Sequence, residues 1–565
     1  MMKTSNIESA GIHTAPVAKD APARGPRALH ARHPQSQAGG SPARRPHSPW
    51  MQRAAQWAVL ILLAVWSTGC ATNPVTKRRE FRLVSESQEV RIGQSNYSAY
   101  QQAQGGTYTA EPTVSAYVSK VGEKLWSVSD RPNLPYEIVV LNSDVPNAWA
   151  IPGGKMAVNR GLLTELKSEA ELAAVLSHEI VHVAAGHGAN SMERGMFAQG
   201  VLMGIGLWAK DNDAADLIIA GSGLAAGVAM MKYSRSDELE SDRYGIEYMV
   251  RAGYDPQAAV ALQETFVRLS EGKDGNWLTG LLSTHPPSRE RVAKNREHAA
   301  KYPAGGYMGR EEYAKAMEPL VQTKPAYEEA KKGYAALQAG DPARAQKLAQ
   351  NAIAKQPREA RFHALAAKAY ASQRDFGNAR QSMDRAVALD NRNFEYYLTR
   401  GQLFYEMGKP DAARADLEKS TALLPTATGH YLLGAVARDS GNSDAAIQHF
   451  RTAASSPSSD GQKAAVLLAR MDLSEHPARY LKIQPSLNSR GFITLTVENT
   501  TPVDVKTCVL GVYSPTSRRW ESYRFPQGLP ARRSMQIQTR VGPFPNADAA
   551  RTSGADVRFD QVAVE

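Results

Sequence analysis

Apolar residues recur every three to four positions in EVRIGQSNYSAYQQ and VSAYVSKVGEKLWSV, which predicts two amphipathic helices. YEIVVLNS then reads as a strand. AWAIPGGKMAVN follows as two apolar, strand-like halves turned at Pro152, Gly153 and Gly154. The segment LLTELKSEAELAAVLSHEIVHVAAGH reads as helix throughout. Residues 88–300 are therefore expected to form one mixed α/β domain.

A different pattern takes over further along. Ala345, Ala379 and Ala413 stand 34 residues apart, and Ala446 follows after 33. Gly333, Ala367, Gly401 and Gly434 repeat in the same register, as do Ala352, Ala386, Ser420 and Ala453. Small residues at a 34-residue period, where paired helices must touch, are the tetratricopeptide signature. About four such units are expected over residues 325–470, although the tryptophan usual at the opening position is absent. They predict a concave groove for a client or partner protein, or else a scaffold that only positions its neighbours. From residue 478 onward YLKIQ, FITLTVEN, VDVKTCVLGVYS, RWESYRF, SMQIQTRV and VRFDQVAV alternate every second position. That period predicts a small all-β sandwich or barrel over 478–565, with no catalytic constellation in it.

The N-terminal segment has neither period. Residues 1–50 are rich in Ala, Pro, Arg, Ser and His and cannot bury enough surface to offset ordering entropy, so disorder is expected. MQRAAQWAVLILLAVWSTGC, residues 51–70, has an arginine, an apolar run and small residues before a cysteine. This is the form of a lipoprotein signal peptide, about half the length that spans a bilayer. Met51 is then a candidate start, with cleavage before Cys70 leaving that cysteine lipidated and residues 70–87 as a tether. An ordinary secretory signal is the plainer alternative. Ala71 carries no inner-membrane retention signal, so the expected anchor is the outer membrane. Cys70 and Cys508 are the only cysteines, so lipidation of one excludes an intrachain disulfide.

Composition adds little. The chain of 565 residues is 42% hydrophobic and 22% charged, ordinary globular material too long for one core. Of the formal charge of +11, residues 1–70 supply +6, so the remainder makes no case for nucleic acid.

Candidate chemistry lies on the helix at HEIVHVAAGH. Residues four apart share a helical face, so His178 and His182 can offer ring nitrogens to one ion, and Glu179 stands near enough to take a proton from water there. Zinc suits imidazole and needs a third protein ligand. His-Glu-x-x-His also arises by chance, in which case the histidines are only polar residues on an alanine-rich helix. In SRSDELESDRYGIEYM, Glu238 and Asp242 stand four apart on a second predicted helix. They suit a zinc ligand and an acceptor that orients a ligand histidine. The plainer reading is a solvated acidic face with Asp237 and Glu240. His187 is expected to be structural. The apolar runs FAQGVLMGIGLWA and LIIAGSGLAAGVAMM are each too short to cross a membrane and predict either core helices or a lid.

NAWAIPGGKMAVNRGLL, HEIVHVAAGH, ELESD and STHPPSRERV, in that order, resemble the M48 family of zinc endopeptidases, which are gluzincins. The resemblance implies a mainly α, gluzincin-type α+β protease domain ahead of the α-solenoid and the β domain. It implies that His178, His182 and Glu238 bind one Zn²⁺, that Glu179 is the general base and that Asp242 orients a ligand. It implies a strand comprising Ala150, Ile151, Gly153, Gly154 and Met156 that pairs with extended substrate. It places His285 near the zinc, either as an oxyanion donor or as a latch on the open position. With the lipoprotein signal read above, the function expected is a lipid-anchored periplasmic endopeptidase of a Gram-negative bacterium. Its substrates would be unfolded or misassembled envelope proteins, and its repeats would bind clients or outer-membrane assembly machinery. The rival is a chaperone or assembly factor with a structural zinc site.

Overall fold

The computed structural model describes residues 70–82, 84–192, 233–271, 285–303 and 305–564. The expectations for residues 1–50, for the signal peptide over 51–69 and for the two apolar runs lie outside the described residues.

Two helices, α1 (Glu86–Ala103) and α2 (Pro112–Trp126), precede a three-stranded sheet of β3 (Glu137–Leu141), β4 (Ala148–Ile151) and β5 (Lys155–Asn159). β5 is central, parallel to β3 and antiparallel to β4, so β4 is an edge. The Pro152–Gly154 turn needs both glycines, at φ +82° and +86°. A Cβ on Gly153 would also sit 2.7 Å from the Glu89 carbonyl oxygen of α1.

Helix α3 (Glu169–Ala185) runs through the centre and is buried on nearly every side. Its apolar residues surround the helix rather than forming one stripe, the pattern of a core helix. Leu172, Leu176 and Ile180 pack with Val118 and Leu125 of α2, Val140 and Val158 of the sheet, and Ile246 and Met249 of α4 (Arg235–Arg251). α5 (Gln257–Glu271) and α6 (Arg289–Ala299) complete the domain.

Residues 70–87, expected as a tether, contain a hairpin instead. β1 (Cys70–Thr72) pairs with β2 (Arg79–Phe81), and the side chains of Asn73 and Arg82 donate to the Ala185 carbonyl at the end of α3. A guanidinium at a helix C-terminus is the favourable charge for that end.

α7 (Arg310–Gln338) joins two domains as one helix. Tyr313, Met317 and Leu320 enter the first core, beyond the boundary expected at residue 300, and Ala326 and Ala330 enter the repeat core. Eight further helices alternate, α8 (Pro342–Lys355) to α15 (Ser459–Asp472), with α9 (Ala360–Ser372), α10 (Phe376–Leu389), α11 (Phe394–Glu406), α12 (Pro410–Leu423), α13 (Ala427–Asp439) and α14 (Ser443–Ala454) between them. The repeat register locates the helix contacts: Ala345, Ala379, Ala413 and Ala446 are each fully buried. A Cβ on Gly434 would lie 2.6 Å from the Phe450 ring, so only glycine permits that approach.

The C-terminal region holds two three-stranded antiparallel sheets. β6 (Leu481–Leu487), β7 (Ile493–Asn499) and β10 (Ser534–Gln538) form one, with β7 central. β8 (Val505–Ser514), β9 (Arg519–Arg524) and β11 (Asp556–Val564) form the other, with β8 central. Their shared core takes in Ala469 and Leu473 from the end of the repeats.

Candidate metal centre

Two caps position the chemistry. Ser168 accepts from the Glu171 amide to start α3, and Gly186, left-handed at φ 75°, stops it. Between them His178 and His182 stand one turn apart on the face toward α4. That helix opens with a capping box between Ser234 and Asp237, which sets Glu238 and Asp242 against the histidines.

Four donor groups meet there. His178, His182, Glu238 and His285 each offer an atom such that all lie within 4.8 Å of one another; His182, Glu238 and His285 are buried and His178 is mostly so. His178 Nδ1 is 3.0 Å from Asp242 Oδ1. Donation to that carboxylate leaves the lone pair on Nε2, which faces His182 Nε2 at 3.1 Å and His285 Nδ1 at 3.3 Å. Glu238 oxygens stand 3.5 Å from both Nε2 atoms. Lone pairs and a carboxylate converging on one point form a cation's donor set, and two imidazoles with a carboxylate fit zinc chemistry.

Arg291 of α6 ties this set together. Its Nε and Nη2 donate to the two Asp242 oxygens, each at 2.7 Å, and Nη1 lies 2.8 Å from Glu238 Oε2. Nη1 also donates to the Pro286 carbonyl at 3.2 Å, which fixes the segment bearing His285. A bidentate, buried guanidinium of this kind has the planar fork that a lysine lacks. Burial opposes ionisation of Asp242, but Arg291 holds it below the usual carboxylate range. Burial likewise opposes ionisation of Glu238, which His285, His178 and His182 hold below that range. Burial lowers the basicity of His178, yet Asp242 and Glu238 outweigh it and carry the imidazole up to about 9, so a cation binding at Nε2 displaces a proton there. Burial takes His182 well below its ordinary value.

Glu179 is buried, with Oε1 3.4 Å from His285 Nε2 and Oε2 without a hydrogen-bond partner among the described residues. His285 thus spans Glu179 and, through Nδ1 at 2.9 Å, Glu238. Tyr233 stacks on the His182 ring at 3.8 Å between centroids. Spacing along the chain gives no role to Arg291 or Tyr233. Arg291 stood inside STHPPSRERV, but its partners lie about 50 residues away and spacing could not name them.

The expected substrate strand divides. Ala150 and Ile151 lie on edge strand β4, and Ala150 borders the same hollow as His182 and Tyr233. Met156 lies on central β5, flanked by β3 and β4, and its carbonyl accepts from Tyr97 at 2.6 Å. It has no free edge to offer. Gly153 and Gly154 form the turn packed against α1 and Tyr136. Cys70 is far from this cluster in sequence and opens strand β1.

The model of peptidase family M48 matches residues 112–299, which include every member of the cluster. The tetratricopeptide repeat model matches 331–394 and 398–460. The chain is 34% identical over 229 residues to the mitochondrial metalloendopeptidase OMA1 of Schizosaccharomyces pombe, covering 40% of this chain and 65% of that protein. It is 32% identical to a putative beta-barrel assembly-enhancing protease of Vibrio cholerae, over 34% of this chain and 40% of that one. The beta-barrel assembly-enhancing protease of Escherichia coli is 28% identical, over 38% and 45%. The chain therefore spans about half the length of its bacterial relatives. Residues 112–299 are thus a peptidase family M48 domain, and tetratricopeptide repeats follow it.

Proposed function

We propose that the protein is a zinc-dependent endopeptidase of gluzincin type, lipid-anchored through Cys70 in the periplasm, that cleaves unfolded or misassembled outer-membrane proteins. The observation that carries this reading is the convergence of His178, His182 and Glu238 beside the orphaned Oε2 of Glu179. Zinc in that donor set would supply the Lewis acid for peptide hydrolysis.

The chain's own residues have distinct work. Glu179 takes a proton from the attacking water at Oε2 and returns it to the leaving amine. Asp242, locked by Arg291, accepts from His178 Nδ1 and keeps Nε2 free to ligate. Edge strand β4 aligns an extended substrate by main-chain pairing through Ala150 and Ile151. His285, already within the donor set, acts as a latch on the open position until a client or partner draws its segment away. The bacterial relatives' names support clients among β-barrel proteins, and the repeats support recognition of protein partners.

The test expresses the whole chain and its Glu179→Gln variant in a Gram-negative host. Wild type should incorporate labelled fatty acid at Cys70, bind one zinc and digest casein. Glu179→Gln should retain zinc and lose cleavage. A variant that cuts at the wild-type rate would remove Glu179 from the mechanism.

A further inference from the structure

We propose that His187 is a positioning residue, which selects the His182 tautomer able to bind metal and clamps the two metal-binding helices together. The proposal rests on His182 being a zinc ligand.

The geometry begins with the stop of α3. Residues five apart on a continuous helix do not share a face. His187 nevertheless places Nδ1 3.0 Å from His182 Nδ1. It can do so because the helix ends at Ala185 and Gly186 turns the chain back in the left-handed region. The φ of 75° at Gly186 is what reserves the turn for glycine.

His187 is itself buried, at 4% exposure, and bonded on its far side. Its Nε2 is 3.2 Å from Glu240 Oε1, and Ser241 Oγ lies 3.4 Å from its Nδ1. Both partners belong to α4, the helix that carries Glu238. His187 therefore leaves α3 and is held by α4, directly behind the ligand face.

Proton placement follows from the partners. Glu240 is an acceptor, so His187 carries its proton on Nε2 and offers a lone pair at Nδ1. His182 must then donate Nδ1–H to it, which leaves the His182 lone pair on Nε2, toward Glu238 and His178. The opposite tautomer would put a proton where the metal must sit. Asp242 makes the same selection for His178 with a carboxylate. Here a neutral imidazole relays Glu240 to His182, so the orienting group adds no charge in direct contact with the ligand ring.

The test titrates zinc into the full chain against a competing chelator and records the visible spectrum of the cobalt(II) form. His187→Phe removes the acceptor and should weaken zinc binding about 10–100-fold, the range for losing a ligand's orienting partner. His187→Asn places Oδ1 where Nδ1 stood and should restore most of the affinity and the cobalt bands. His187→Gln places its amide at the other nitrogen's position and should not. If His187→Phe does not fold, the Asn and Gln pair carries the same contrast. Unchanged affinity in His187→Phe, or equal losses in Asn and Gln, would overturn the proposal alone. A wild type that binds no zinc would overturn the reading of the site and this proposal with it.

Discussion

At the scale of single residues, the site is a set of donors whose directions are set from behind. Asp242 and His187 stand behind the two histidines of α3, and Arg291 stands behind Asp242 and Glu238. Burial makes these partners necessary, since a buried polar group costs free energy unless it is bonded. His285 belongs to the same set, but it comes from the segment before α6 rather than from α3 or α4. That difference motivates a prediction. His285→Ala should retain zinc and raise the basal rate of casein cleavage several-fold, because the latch is gone. An oxyanion donor would give the opposite result, a loss of about 10²–10³-fold. A fluorescent-casein assay with zinc content measured in parallel separates the two.

At the scale of elements, the junction between repeats and β sheets turns on Asp472, the last residue of α15. It is 2% exposed and accepts from His476, Arg479, Arg451 and Tyr480. Burial opposes its ionisation, yet Tyr480 and Arg479 hold it below the usual carboxylate range. A carboxylate lowered in the folded state contributes stability above its unfolded value of about 3.9, which is lost as pH falls through the folded value. The β region should therefore loosen from the repeats in acid before the repeats themselves unfold. Asp472→Asn should destabilise this junction at neutral pH by about 1 kcal/mol, because Arg451, His476 and Arg479 are half-exposed and can turn to water when the carboxylate charge is lost. It should also flatten the acid dependence. Denaturant titrations at several pH values, following Trp520 fluorescence, measure both effects; equal pH profiles in wild type and variant would exclude Asp472 as the cause.

At the scale of the molecule, turns between repeats bond directly to the metallopeptidase domain. Gln102 of α1 donates to the Arg392 carbonyl at 2.6 Å and accepts from the Phe394 amide at 2.8 Å. Asn142 donates to Glu359 at 2.9 Å, and Arg361 donates to the Asn142 carbonyl at 2.7 Å. Glu359 is 2% exposed and also accepts from Tyr327 of α7. These bonds, with α7 shared by both cores, couple the repeats mechanically to the metal domain. Glu359→Ala removes the acceptor for the Asn142 side-chain amide and the Tyr327 hydroxyl and should cost about 1–3 kcal/mol. It should split one calorimetric transition into two, while zinc affinity stays at the wild-type value. A single transition at the wild-type midpoint would show that this contact does not couple the domains.

What the chain alone determined is whatever depends on local period and short spacing. The 34-residue recurrence located the helix contacts, because a repeat must pack against its own copy with the same small residues. Alternation every second residue located all six C-terminal strands, because successive side chains of a strand point to opposite faces. His178, His182, Glu238 and Asp242 were legible as pairs one helical turn apart. Tertiary structure alone decided the rest. Arg291 reaches across to α4, and the turn at Gly186 brings His187 back beneath His182. Pairing on both sides of β5 leaves Met156 without a free strand edge. The hairpin at residue 70 is held by a carbonyl more than 100 positions away. Hydrogen bonding and burial act through space, and a linear pattern records them only when the partners also recur along the chain.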